Sequence, residues 1–208
     1  MPGTCRGVAT SLLLFALLCP IEGIAGTYED GDSAFQRKDY TTAMQHWKPI
    51  AAAGHAGAQL GVATLYYGGL GVVQDYGQAF AWCTKSADQG DAKAKYVLGA
   101  MYRDGKGVDK NLSLAMALFR EAAEHDVHGA QYSLGMMYLL GEGVPPNYAE
   151  ACYWLSLAAG ADDKDNSQLR ASASYLRDEA ASKLSAEQVA QITQRVSERK
   201  LAQSPPGK

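Results

Sequence analysis

Between residues 55 and 162 the apolar positions recur at i, i+4, i+7 and i+8, which is the stripe of an amphipathic helix. The stripe occurs three times at a fixed interval of 36 residues. Ala58, Ala94 and Ala130 open it. Val62, Leu98 and Leu134 follow, then Leu65, Met101 and Met137, then Tyr66, Tyr102 and Tyr138. Each stripe stops at a glycine, Gly69, Gly105 or Gly141, placed where a left-handed helix end carries no Cβ penalty. A second glycine stands two residues on, and Val72, Val108 and Val144 return the chain to the core. Pro145-Pro146 keeps this segment out of any helix. Asp75, Asn111 and Asn147 then supply N-caps for a second helix. Its seam runs through Ala79, Ala115 and Ala151, then Cys83, Phe119 and Leu155, then Ala87, Ala123 and Ala159. Small residues at both ends of that seam let neighbouring helices approach closely.

A period of this length means stacked helix pairs that share one continuous core. The pattern predicts an all-α solenoid of three repeats over 55–162, divided as 55–90, 91–126 and 127–162. Residues 27–54 read as a degenerate N-terminal repeat, with Ala43, Trp47 and Ala51 in register with the second-helix seam and a first helix near 28–37. After Asp162 the period is lost. Residues 163–200 read as C-terminal capping helices, 166–184 and 186–200, the second opened by a capping box between Ser185 and Gln188. Such helices cover the apolar face of the last repeat. Residues 201–208 read as a disordered tail.

The leader has its own pattern. Residues 1–26 combine Arg6, an apolar run from Val8 to Ile21, and small residues at Gly23, Ala25 and Gly26. This is the layout of a secretory signal peptide, with an apolar core shorter than the roughly 20 residues of a membrane span. Cleavage is expected near Ala25 or Gly26. Retention as an anchor and lipidation at Cys19 remain open alternatives, although Leu18 is not the small residue that a lipidation site wants before its cysteine. The expected location is periplasmic or secreted, with no stable membrane insertion once the leader is removed.

The segments Ala130–Val144 (AQYSLGMMYLLGEGV) and Ala94–Val108 (AKYVLGAMYRDGKGV), and the helix ending Trp154–Ala159 (WLSLAA), resemble the Sel-one-like repeat family, relatives of tetratricopeptide repeats. The resemblance covers 55–162 closely and 28–54 loosely. It implies a right-handed α/α superhelix and a protein-binding scaffold. Members of this family serve in bacterial signalling, envelope and host-contact assemblies. Ala63, where other units carry Gly99 and Gly135, and Val73-Gln74 in place of a prolyl turn are departures from the pattern. Cysteine-rich members have been described as penicillin-binding or weakly β-lactamase-like. They carry a cysteine pair in each repeat, which is missing here.

Charge narrows the partner. With 19 basic and 22 acidic residues the net charge is −3, which leaves no electrostatic footprint for nucleic acid. Of the four cysteines, Cys5 and Cys19 lie in the leader; Cys83 and Cys152 sit two repeats apart, which predicts no disulfide. His125 and His128 straddle a repeat junction and lack a third ligand, so no metal is expected, and no cofactor motif is present. Gly105-Lys106-Gly107 lacks the spacing of a phosphate loop. Ser197-x-x-Lys200 matches a penicillin-recognising nucleophile motif without its companion motifs. No catalytic residue is assigned.

The candidate site is therefore the concave face, formed by the outward sides of the first helices. Tyr67, Tyr96, Arg103, Tyr132, Met136 and Leu139 lie there, aromatic, apolar and arginine types that anchor protein partners. The expected function is an exported, non-enzymatic scaffold that binds a protein or peptide along this strip, in bacterial envelope regulation or host contact. The alternative is a protein that binds or hydrolyses a cell-wall fragment or β-lactam.

Overall fold

A computed structural model of the chain describes residues 27–160 and 167–203. The expected leader, including Cys19, and the last five residues of the expected tail lie outside the described residues. All regular structure among the described residues is helical. The helices are α1 (Tyr28–Gln36), α2 (Tyr40–Ala52), α3 (Ala56–Gly68), α4 (Tyr76–Ala87), α5 (Ala92–Asp104), α6 (Leu112–Glu124), α7 (His128–Leu140), α8 (Tyr148–Ala159), α9 (Ser167–Ala181) and α10 (Ala186–Gln203). From α1 to α9 each helix packs on the next, the arrangement of a solenoid. α10 turns back onto α8.

The caps form as the sequence directs. Asp75, Asn111 and Asn147 accept hydrogen bonds from the backbone of Gln78, Leu114 and Glu150 at 2.9, 3.0 and 3.1 Å. Ser185 and Gln188 close a reciprocal capping box at 2.8 and 3.2 Å. Gly69, Gly105 and Gly141 cap their helices with φ of 63, 69 and 73°. The second glycine of each turn carries a further constraint. Gly71, Gly107 and Gly143 also have positive φ. In addition, a Cβ at Gly71 would lie 2.8 Å from the backbone of Tyr40 and Thr41, one at Gly143 would lie 2.9 Å from Leu112 Cβ, and one at Gly107 would strike the carbonyl oxygen of Tyr76. Each turn thus rests on the start of the second helix in the unit before it.

Within each unit the two helices are matched by volume. A Cβ at Gly31 would enter the Trp47 indole; one at Gly99 would lie 2.8 Å from the Phe119 ring; one at Gly135 would lie 2.7 Å from Leu155 Cγ. Where the second helix carries the smaller Cys83, the first carries Ala63, and both are buried in one cluster. The departure at Ala63 is therefore a compensation. Between units, polar side chains latch the backbone. Gln59 donates to the Ala51 carbonyl at 3.1 Å and Gln131 to that of Ala123 at 3.2 Å. The equivalent Lys95 instead pairs with Glu121 at 2.6 Å.

The C-terminal helices differ in character. α9 buries Ala173 and Ala180, whereas the 18-residue α10 buries only Ile192. Polar contacts fasten α10. Arg195 pairs with Glu150 at 2.7 Å and stacks 3.7 Å from the centre of the Tyr153 ring. Arg199 donates to the terminal carbonyls of α6 at Ala123 and Glu124, at 3.2 and 2.9 Å, and so caps that helix with a positive charge.

Candidate functional site

The outward side chains of the first helices meet at the junctions between successive units. The α3/α5 junction holds a cleft of about 220 Å³ lined by Thr64, Tyr67, Tyr96, Val97 and Ala100. The α5/α7 junction holds one of about 430 Å³, with Arg103, Lys110, Tyr132, Met136 and Glu142 on its walls. A third, of about 410 Å³, lies between Tyr132 of α7 and Ala171, Ser172, Tyr175 and Leu176 of α9. One face of the solenoid therefore carries three clefts in succession.

Five of the six candidate residues line them. Tyr67 and Tyr96 share the first cleft; Arg103, Tyr132 and Met136 share the second, and Tyr132 also borders the third. Leu139 does not belong. It is 8% exposed and part of the core cluster around α7 and α8. The reason is that α9 packs on α7 as well as α8, so the last first-helix is covered where the earlier ones are open. Tyr175 takes part instead, 71% exposed on α9. It follows residue 162, where the period ends, so no repeat column marks it in the sequence.

The tyrosines also serve the fold. A Cβ on Gly129 would lie 2.9 Å from Tyr96 Cζ, so the Tyr96 ring rests on the first turn of α7. Its centre is 5.9 Å from that of Phe119. The Tyr67 hydroxyl accepts a 2.9 Å hydrogen bond from Lys106 Nζ. That ammonium lies 4.9 Å from the Tyr67 ring centre and 5.5 Å from that of Tyr76, and the contact with the tyrosine hydroxyl raises its pKa. Arg103 forms an ion pair with Asp104 at 2.7 Å; this hydrogen bond raises the guanidinium pKa and lowers that of the carboxylate.

The other nucleophilic groups singled out in the sequence lie apart from these clefts. Cys83 is fully buried and its thiol donates to the Ala94 carbonyl at 3.2 Å. Burial pushes its pKa up to about 12. Cys152 is buried and free, and its pKa is also raised, chiefly by burial. The Ser197 hydroxyl donates to the Thr193 carbonyl of its own helix. Lys200 borders a different feature, a cavity of about 380 Å³ between α8, α9 and α10. Among the described residues no three His, Cys, Asp or Glu side chains cluster in a way that could hold a metal ion. No described helix is long and apolar enough to cross a membrane.

Residues 24–55, 56–91, 92–127 and 128–163 each match the family model described as Sel1 repeat. Among solved structures, a Sel1 repeat protein from Oxalobacter formigenes is 27% identical, with 80% of this chain and 74% of that one covered and a TM-score of 0.62. The protein c5321, described as a protective antigen present in uropathogenic Escherichia coli strains and displaying an SLR fold, is 24% identical with a TM-score of 0.51. That alignment covers 87% of this chain and 48% of c5321, so the chain spans about half the length of that neighbour. No curated protein matches the chain.

Proposed function

The chain belongs to the Sel1 repeat family, whose members are generally protein-interaction scaffolds, and from that premise we propose that it is an exported, non-enzymatic scaffold binding a protein partner along its three clefts. The observation that carries this reading is their succession on one face, with Tyr67, Tyr96, Tyr132 and Tyr175 along it. Tyrosine offers a large apolar surface with a polar tip, the combination enriched where proteins meet. A partner spanning several units gains area from each without requiring a deep pocket. Export is supported by the leader pattern in residues 1–26, and the proposed role in the envelope or in host contact rests on the family.

A photo-crosslinking amino acid at Ala100, inside the first cleft, should capture the partner in the native host. The same group at Gln45, on the exposed side of α2, should capture none. Equal capture from both positions would place the interaction elsewhere. Export has its own test: protein recovered from the native host should have a mass lacking Met1 to Gly26, and a full-length mass would overturn that part.

A further inference from the structure

We propose that α10 is a strap that opens by itself while the repeats stay folded, and that Asp126 is the catch that holds it shut. Little apolar burial keeps it in place. Each helix from α2 to α8 buries at least four residues, whereas α10 buries Ile192 alone. Val189 and Val196 on the same side are half-buried. The cavity of about 380 Å³ between α8, α9 and α10 leaves the helix incompletely packed along its inner side. Its two ion pairs run to Glu150 of α8 and to Asp126 just past the end of α6, and neither involves α9. α10 is therefore free to leave α8 about the 182–185 turn without pulling α9 with it.

The fastening lies at the end away from that turn, with Arg199 about 21 Å along the helix from Ser185. Arg195 and Arg199 lie over the Tyr153 and Trp154 rings, 3.7 and 5.8 Å from their centres, so the closed strap covers both aromatics. Asp126 receives the tip. Its carboxylate accepts from Arg199 at 3.3 Å and Gln203 at 3.2 Å, and from Gln131 of α7 at 3.3 Å. The same column holds Gly54 and Gly90 in the earlier units, with φ of 103 and 89°. Asp126 takes φ of 58°, a left-handed backbone that strains any residue with a Cβ. The repeat turn needs only glycine there; the carboxylate answers to α10, which the earlier units do not meet. The catch is also imperfect. Arg199 Nε is shielded from solvent and has no hydrogen-bond partner among the described residues, and opening returns it to water. A helix held in this way opens at a free energy well below that of global unfolding. Screening of its ion pairs then makes access to the α8 face and the cavity depend on ionic strength.

The test uses the full mature protein and iodoacetamide, an uncharged reagent, so that salt acts on the protein and not on the encounter. Cys152 lines the cavity under the strap and is 3% exposed, and Cys83, at 0%, sits among the repeats as the internal control. Peptide mass mapping follows the alkylation of each. Cys152 should react at a rate that rises with sodium chloride, while Cys83 stays protected. Asp126→Gly installs the residue of the earlier units, so the repeats keep their fold while the catch is lost. It should speed the alkylation of Cys152 at least about tenfold, since two donors lose a charged acceptor. Asp126→Asn keeps an acceptor without the charge and should fall between. Arg195→Ala, which leaves the repeat turn untouched, should also speed Cys152. A Cys152 rate indifferent to salt and to all three variants would overturn the strap. Acceleration by Arg195→Ala and salt, with Asp126→Gly matching the wild type, would overturn the role of Asp126. Alkylation of Cys152 and Cys83 at one common rate, the signature of global unfolding, would overturn both.

Discussion

At the scale of single residues, the turn glycines divide into two grades. Gly54 and Gly90 have φ of 103 and 89°, and a Cβ at either would meet nothing within 4 Å. Alanine there costs only backbone strain, about 1 kcal/mol. Gly107 has φ of 73° and no room, because the Tyr76 carbonyl occupies the Cβ position. Gly107→Ala should therefore destabilise the protein clearly more than Gly90→Ala, in a side-by-side urea titration. The volume pairs predict a rescue. Cys83→Phe should overpack the core by about 1–3 kcal/mol, and Ala63→Gly added to it should recover much of that loss, since the Gly99–Phe119 pair already shows the accommodation. Non-additivity in a double-mutant cycle is the readout. The two thiols differ as well. Cys83 is sealed and titrates at about 12, whereas Cys152 borders the cavity between α8, α9 and α10. Iodoacetamide on the native protein should modify Cys152 first, as seen by peptide mass mapping. For Cys83 the linkage has a definite sign. Its folded pKa lies above the ordinary value of 9.0, so its contribution is intact below pH 9 and is lost as pH rises from there towards 12.

At the scale of elements, α10 is held by charge more than by burial. Glu150, Asp126 and the end of α6 receive Arg195 and Arg199, while Ile192 alone is buried. Arg199→Ala should cost about 1–2 kcal/mol, because two carbonyls of α6 lose a charged donor, and salt should weaken the wild-type docking. Hydrogen exchange of α10 amides in low and high salt checks both. The repeat helices should remain protected in either condition.

For the whole molecule, the three periodic units were legible because equal spacing forces equal environments. Ala58, Ala94 and Ala130 are each fully buried, as their shared column implies. The candidate site was legible in part. Tyr67, Tyr96, Arg103, Tyr132 and Met136 share columns whose outward direction follows from helical periodicity, and all five line clefts. Leu139 stands in the same column as Tyr67 and Arg103, but its environment is set by α9, a helix outside the period. For the same reason Tyr175 left no trace in the sequence. Periodicity describes what a unit does to its equals; it is silent where the neighbour is a different kind of element.

The Trp47 indole has a consequence for how such a chain can change its length. It fills the space left by Gly31 in its own unit and by Gly61 in the next, where a Cβ would lie 2.6 Å from the ring. The column of Gly61 holds Val97 and Ser133 in the later units. Excising 56–91 would bring Val97 against the indole, whereas excising 92–127 would leave the Trp47–Gly61 fit untouched. Loss of the 56–91 module is therefore blocked at the Trp47 contact, whereas loss of 92–127 leaves that contact intact. The order of the first two units is thus fixed by a single indole.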